Sequence, residues 1–116
     1  MSYKNQYKSL SKIKNALMIR HIVLWKLKNP GIAELKALNA SRLNNELHAL
    51  KNEIVQIKRL ETGINLNPDN EYDVVLSMDF DNFEDLMIYQ KHPAHLKVVE
   101  FLKSIRELKA SIDYEI

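Results

Sequence analysis

Tyr72–Ile105 reads YDVVLSMDFDNFEDLMIYQKHPAHLKVVEFLKSI, and its change of period decides the fold. Tyr72, Val74, Leu76, Met78 and Phe80 alternate with Asp73, Val75, Ser77 and Asp79, the period-2 pattern of a half-buried strand. The period then changes. Asp81 or Asn82 offers an N-cap oxygen to a short helix carrying Phe83, Leu86, Met87 and Tyr89. Pro93 ends that helix, because the residue before a proline is pushed out of the helical region. The same Pro93 suits the first turn of a second helix, which is expected to run to about Ala110 with Val98, Phe101, Leu102, Ile105 and Leu108 inward.

Upstream, Ile19–Lys28 (IRHIVLWKLK) reads as a strand with His21, Val23, Trp25 and Leu27 on one face and Ile22, Leu24 and Lys26 on the other. Asn29-Pro30-Gly31 ends it. Residues 32–52 lack Pro and Gly and place Leu35, Leu38, Leu43, Leu47 and Leu50 mainly on one helical stripe. Residues 54–66 read as a strand, with Gly63 marking a bulge or a close backbone approach. Asn67-Pro68-Asp69-Asn70 is a turn cluster, so this strand and the next form an antiparallel hairpin. Ser111–Ile116 supplies a final strand. The order is β-α-β-β-α-β with a split second helix: an α+β, ferredoxin-like arrangement of one four-stranded antiparallel sheet with helices on one face. The other face also carries apolar side chains, which a monomer rarely leaves open. A homodimer with facing sheets is therefore predicted.

Composition sets outer limits. The 116 residues make one domain, with 46% apolar and 28% charged residues. With no Cys, disulfides, Cys-ligated zinc and thiolate chemistry are excluded, and a cytoplasmic location is expected. Apolar runs such as Ile22–Trp25 are too short for a bilayer, so no membrane association is expected. The basic pI of about 8.8 belongs to one end. Residues 1–17 hold Lys4, Lys8, Lys12 and Lys14 and no acid, whereas residues 18–116 hold 13 Lys or Arg against 15 Asp or Glu. Residues 1–17 thus read as a basic extension, either a targeting or anionic-surface arm or an accessory segment, outside a mildly acidic domain at 18–116. Nucleic acid is not an expected partner, since no basic patch with interleaved aromatics occurs in the domain. Glycine-rich phosphate loops and Gly-x-Ser-x-Gly elbows are also absent.

The residues that can carry chemistry are His and Tyr. Tyr89-Gln90-Lys91-His92-Pro93-Ala94-His95 sets two imidazoles around a helix start, and His21 projects from the first strand. His works as a base near neutral pH, and a Tyr hydroxyl orients it or polarises a carbonyl. The other reading makes His92 a helix cap and His95 a satisfied core imidazole. His92, His95 and His21 also resemble a three-ligand metal set. That spacing is common by chance, so neither metal nor cofactor is expected. Trp25 shares a face with His21, with Val23 between them, and either floors a ligand cavity or fills the core.

MIRHIVLWKLK, GIN, YDVVLSMDF, FEDLMIYQKHPAHLKVVEFLKSI and the terminal DYE, in this order over Met18–Glu115, resemble the stress-responsive α/β-barrel domain family. The most specific piece is Tyr89-x-x-His92-Pro93-x-His95 followed by Val98, Val99 and Phe101. The resemblance implies a dimeric α+β barrel. It also implies a site in which His95 takes a proton next to a carbonyl, as in a polyketide-cyclising plant member. Tyr89 would hold the base or the carbonyl oxygen, and His21, Trp25 and His92 would contact ligand. A small hydrophobic ligand is the expected partner. A cofactor-independent cyclase- or monooxygenase-like enzyme using Tyr89 and His95, and a non-catalytic structural stress protein, are the two alternatives.

Overall fold

A computed structural model describes residues 17–116. Among them the chain forms β1 (Ile19–Leu27), α1 (Ala33–Glu53), β2 (Arg59–Ile64), β3 (Val74–Phe80), α2 (Phe83–Lys91), α3 (Pro93–Ile105) and β4 (Arg106–Glu115). The strands pair antiparallel in the order β2-β3-β1-β4. This is the ferredoxin-like α+β fold expected from the change of period. The proposed extension 1–17 lies, but for Leu17, outside the described residues.

The alternation along β1 and β3 sorts the sheet into two faces. Ile19, Val23, Trp25 and Leu27 join Val74, Leu76, Met78 and Phe80 in the buried core beneath the helices. Ala40, Leu43, Leu47 and Leu50 close that core from α1, Phe83, Leu86 and Tyr89 from α2, and Val98, Leu102 and Ile105 from α3. Asn82 caps α2 by accepting the Asp85 N–H at 2.8 Å. Asn82→Ala is expected to destabilise the fold by about 1 kcal/mol, read as a lower urea midpoint with unchanged slope.

Four expectations need correction. In α1 the inward stripe begins at Ala40, and Leu38 is 63% exposed, with Leu35 exposed as well. At 100° per residue Leu35 falls roughly 110° and Leu38 roughly 170° away from the Ala40–Leu43–Leu47 line. The residue in phase at the helix start is Lys36, whose ammonium reaches Asp73 at 3.4 Å.

The second strand begins at Arg59, not at Ile54. Ile54 and Ile57 are buried, but in a turn held by Ile54 N–H to Leu50 O (2.9 Å) and Ile57 N–H to Ile54 O (3.2 Å). Their alternation records loop anchors rather than a ladder.

Gly63 pairs in unbroken register with Val75, and an added Cβ would meet Val75 at an ordinary 3.6 Å. The irregularity lies in the β1–β4 ladder, between Lys26 and Leu27.

Finally, α3 stops at Ile105 and β4 takes over at Arg106, so Leu108 is an exposed strand residue. Without β4, one edge of β1 would lack hydrogen bonds along its whole length. Pairing from Leu27↔Arg106 to Ile19↔Glu115 satisfies that edge and overrides the helical period of residues 106–110.

Candidate functional site

Each side chain of the Tyr-His constellation is placed by a separate element. Phe83, Leu86 and Tyr89 recur every three residues along α2, so all three face the sheet. Tyr89 packs on Phe80 of β3, with ring centroids 5.3 Å apart. His92 is extended (φ −65°, ψ 137°), as a residue before proline must be, and this breaks the helix between α2 and α3. Its Nδ1 accepts the Ala94 N–H at 3.0 Å, the geometry of a helix cap. Pro93 occupies the first position of α3, where its missing N–H leaves nothing unsatisfied.

One turn into α3, His95 folds back on the break. Its Nδ1 lies 3.0 Å from the Gln90 carbonyl. A carbonyl only accepts, so Nδ1 carries the proton and the Nε2 lone pair is left over. The His95 and Tyr89 rings lie 4.4 Å apart between centroids. His21 of β1 also meets Tyr89, edge-on with ring centroids 6.0 Å apart. The helix break therefore brings Tyr89 and His95 together, and the strand adds His21.

Electrostatics separate their roles. Burial pushes the His95 pKa down; the nearby charges of Lys109, His21 and His92 act the same way, and the Gln90 hydrogen bond opposes them. His95 is thus a neutral imidazole at pH 7, an acceptor rather than a cation. Burial raises the Tyr89 phenol well above its ordinary value, so Tyr89 remains a hydroxyl. A neutral base beside an un-ionised hydroxyl suits proton transfer at a carbonyl compound.

Two further residues expected in the site, Trp25 and His92, have other packing and hydrogen-bonding roles in the fold. Trp25 is four residues from His21 on the strand, roughly 13 Å. It is 4% exposed, and its indole Nε1 is a buried polar atom with no partner among the described residues. His92 has committed Nδ1 to the helix cap. Hollows of about 410 and 480 Å³ lie near the hairpin end of the sheet; the first is lined by Leu24, Gly63, Tyr72 and Val75, the second by Gly31, Lys36, Ala37 and Asp73. Neither is lined by Tyr89, His95 or His21. Among the described residues, no group of three or more His, Asp and Glu side chains is arranged to hold a metal ion.

Two polar features escaped the sequence reading. Asp113 of β4 approaches His21, with 2.5 Å between Oδ1 and Nδ1. On the sheet face away from the helices, Asp79 receives Arg20 Nε (2.8 Å) and Nη2 (3.0 Å) and Arg59 Nε (2.8 Å). Arg59 also donates to Ser77. Strand register, invisible from spacing alone, creates both. Only the placement of Asp79 on the polar side of the β3 alternation hinted at the second.

The comparisons place the family and the fold. The family model of the stress-responsive A/B barrel domain matches residues 19–116. A dimeric protein of unknown function with a ferredoxin-like fold from Bacteroides fragilis is 33% identical, covering 85% of this chain and 96% of its own, with a TM-score of 0.80. A Dabb-family protein with a ferredoxin-like fold from Mesorhizobium loti is 25% identical, covering 84% and 95%, with a TM-score of 0.69. The hydroxynitrile lyase of Passiflora edulis shares the fold at 17% identity, covering 87% and 94%, with a TM-score of 0.72. No curated protein matches the chain. Coverage of nearly the whole described chain by the family model, together with the shared topology, means that this protein belongs to the stress-responsive α/β-barrel domain family.

Proposed function

We propose that this protein is a cytoplasmic homodimer that binds a small hydrophobic carbonyl compound against Tyr89, His95 and His21. One observation carries the reading: the Tyr89 ring packs near two imidazoles, 4.4 Å from that of His95 and 6.0 Å from that of His21, and His95 is held neutral with Nε2 unprotonated. In a reaction, His95 takes the proton next to the carbonyl and the Tyr89 hydroxyl donates to the developing oxyanion. The hydroxynitrile lyase supports the idea that this fold hosts chemistry of its own. The cytoplasmic placement is supported by the absence of Cys. No helix among the described residues is long and apolar enough to cross a membrane. The dimer is supported by the Bacteroides fragilis relative, which is described as dimeric, and by the uncovered apolar sheet face.

Native mass spectrometry of protein purified from its host tests the reading. Wild type is expected at twice the 13.6 kDa protomer mass with retained small molecule. His95→Ala and Tyr89→Phe are expected to lose that molecule and keep the dimer. Equal retention in both variants would remove the site.

A second reading, a non-catalytic structural stress protein, is favoured by the burial of Trp25 and by hollows that lie away from Tyr89. It gains if wild type carries no ligand and no carbonyl compound raises its melting temperature.

A further inference from the structure

Asp113 sits on β4 directly across the ladder from His21 on β1. The two side chains point to the helix side of the sheet, and Asp113 Oδ1 lies 2.5 Å from His21 Nδ1. A carboxylate oxygen accepts and does not donate, so this contact demands a proton on Nδ1. His21 is buried and its carboxylate partner is largely so, with side-chain exposures of 9% and 21%. Water therefore competes weakly for either group. The other groups facing His21 are the Tyr89 ring from α2 and Met78 across the ladder on β3, with the His95 imidazole acting on it through space from α3.

We propose that Asp113 is a positioning residue that locks His21 in the Nδ1–H tautomer, leaving its Nε2 as a second acceptor beside that of His95. The same nitrogen is then free on both imidazoles, for two unrelated reasons: a carboxylate behind His21 and a main-chain carbonyl behind His95. His92 is the opposite case, since Nδ1 accepts from Ala94. For the ligand, the consequence rests on the site reading above. Two imidazole Nε2 acceptors and one phenolic hydroxyl favour an apolar molecule that brings hydroxyl donors, such as an enol, a phenol or an alcohol.

The tautomers are read by long-range ¹H–¹⁵N correlation of the imidazole rings in the full-length, ¹⁵N-labelled dimer at pH 8. His21 and His95 are expected with pyrrole-type Nδ1 and pyridine-type Nε2, and His92 with the reverse. In Asp113→Asn the side-chain amide is able to donate to Nδ1, so His21 is expected to change to the Nε2–H form. The same logic applies when an amide replaces the carboxylate behind a catalytic histidine. Asp113→Glu is expected to restore the Nδ1–H form. A wild-type His21 protonated on Nε2, or averaged between the two forms, overturns the proposal. So does an Asp113→Asn protein with native backbone dispersion and an unchanged tautomer. If Asp113→Asn does not fold, the wild-type spectrum alone decides. The measurement needs no ligand, so failure of ligand retention in Tyr89→Phe or His95→Ala sinks the site reading and leaves the tautomer result standing.

Discussion

Asp79→Ala is expected to lower the unfolding free energy by about 3 kcal/mol, a large share of the roughly 5–15 kcal/mol that a domain of this size has. The Asp79 carboxylate is 5% exposed and anchors two guanidinium groups, from β1 and β2, on either side of β3. Removing it leaves Arg20 and Arg59 on either side of the gap, with Arg59 keeping only the longer contact to the exposed Glu61 at 3.7 Å. Both guanidinium side chains are about one-third exposed, so water screens part of their repulsion and holds the loss near the low end for a broken ion pair. The melting temperature is expected to fall by roughly 12 °C or more, measured at constant protomer concentration.

The pH dependence has a definite sign. Hydrogen bonds from Arg20 and then Arg59 outweigh burial and hold the Asp79 pKa down to about 2, against an ordinary 3.8. The stability contributed by the ionised carboxylate is full above 3.8 and is lost as pH falls through about 2. Between pH 7 and pH 2 the wild type is therefore expected to lose more stability than Asp79→Ala does. Parallel loss in the two proteins would remove this role for the cluster.

Ile112→Asp is expected to turn the dimer into a monomer at micromolar concentration. Ile112 pairs with Ile22 at the centre of the uncovered sheet face, among Leu24, Val75, Leu108 and Ala110, and is 59% exposed in the protomer. Exposure in the protomer means that the substitution leaves the fold intact. Under two-fold symmetry every substitution enters the interface twice. Two carboxylates desolvated without partners cost about 5 kcal/mol together, which raises the dissociation constant by roughly 10³- to 10⁴-fold. Light scattering after size exclusion separates the outcomes: twice the 13.6 kDa protomer mass for wild type, the single mass for the variant. An Ile112→Asp dimer of wild-type affinity would place the interface elsewhere. Leu38→Asp, on the exposed side of α1, serves as the control and is expected to leave the dimer unchanged.

Legibility differed by element. β1 and β3 were clear because one face of each is apolar and packed under the helices while the other carries mostly half-buried or polar side chains, which writes a period of two into the chain. The break between α2 and α3 was equally clear, because Pro93 acts through local sterics that need no tertiary partner. Ile54 and Ile57 misled, since a buried loop anchor and a strand residue satisfy the same alternation. Residues 106–110 misled for the opposite reason: their helical spacing yielded to the hydrogen bonds that β1 required. At the site, Tyr89, His92, His95 and His21 were legible as residue types. Which nitrogen of each imidazole is occupied was not.

What the sequence by itself determined is local. It set the strand periods, a cap at Asp81 or Asn82, the proline break and the pairing of a Tyr with two His around that break, because each depends on neighbours within a turn or two of the chain. It also determined that His and Tyr, with no Cys, carry any reactivity. The tertiary structure alone decided the rest: Asp113 behind His21, 92 residues away, Asp79 between two arginines, and the burial of Trp25 in the core. These are matters of ladder register, in which a shift of one residue sends every side chain to the opposite face. That register follows from burying the whole sheet at once, a property that no single segment carries.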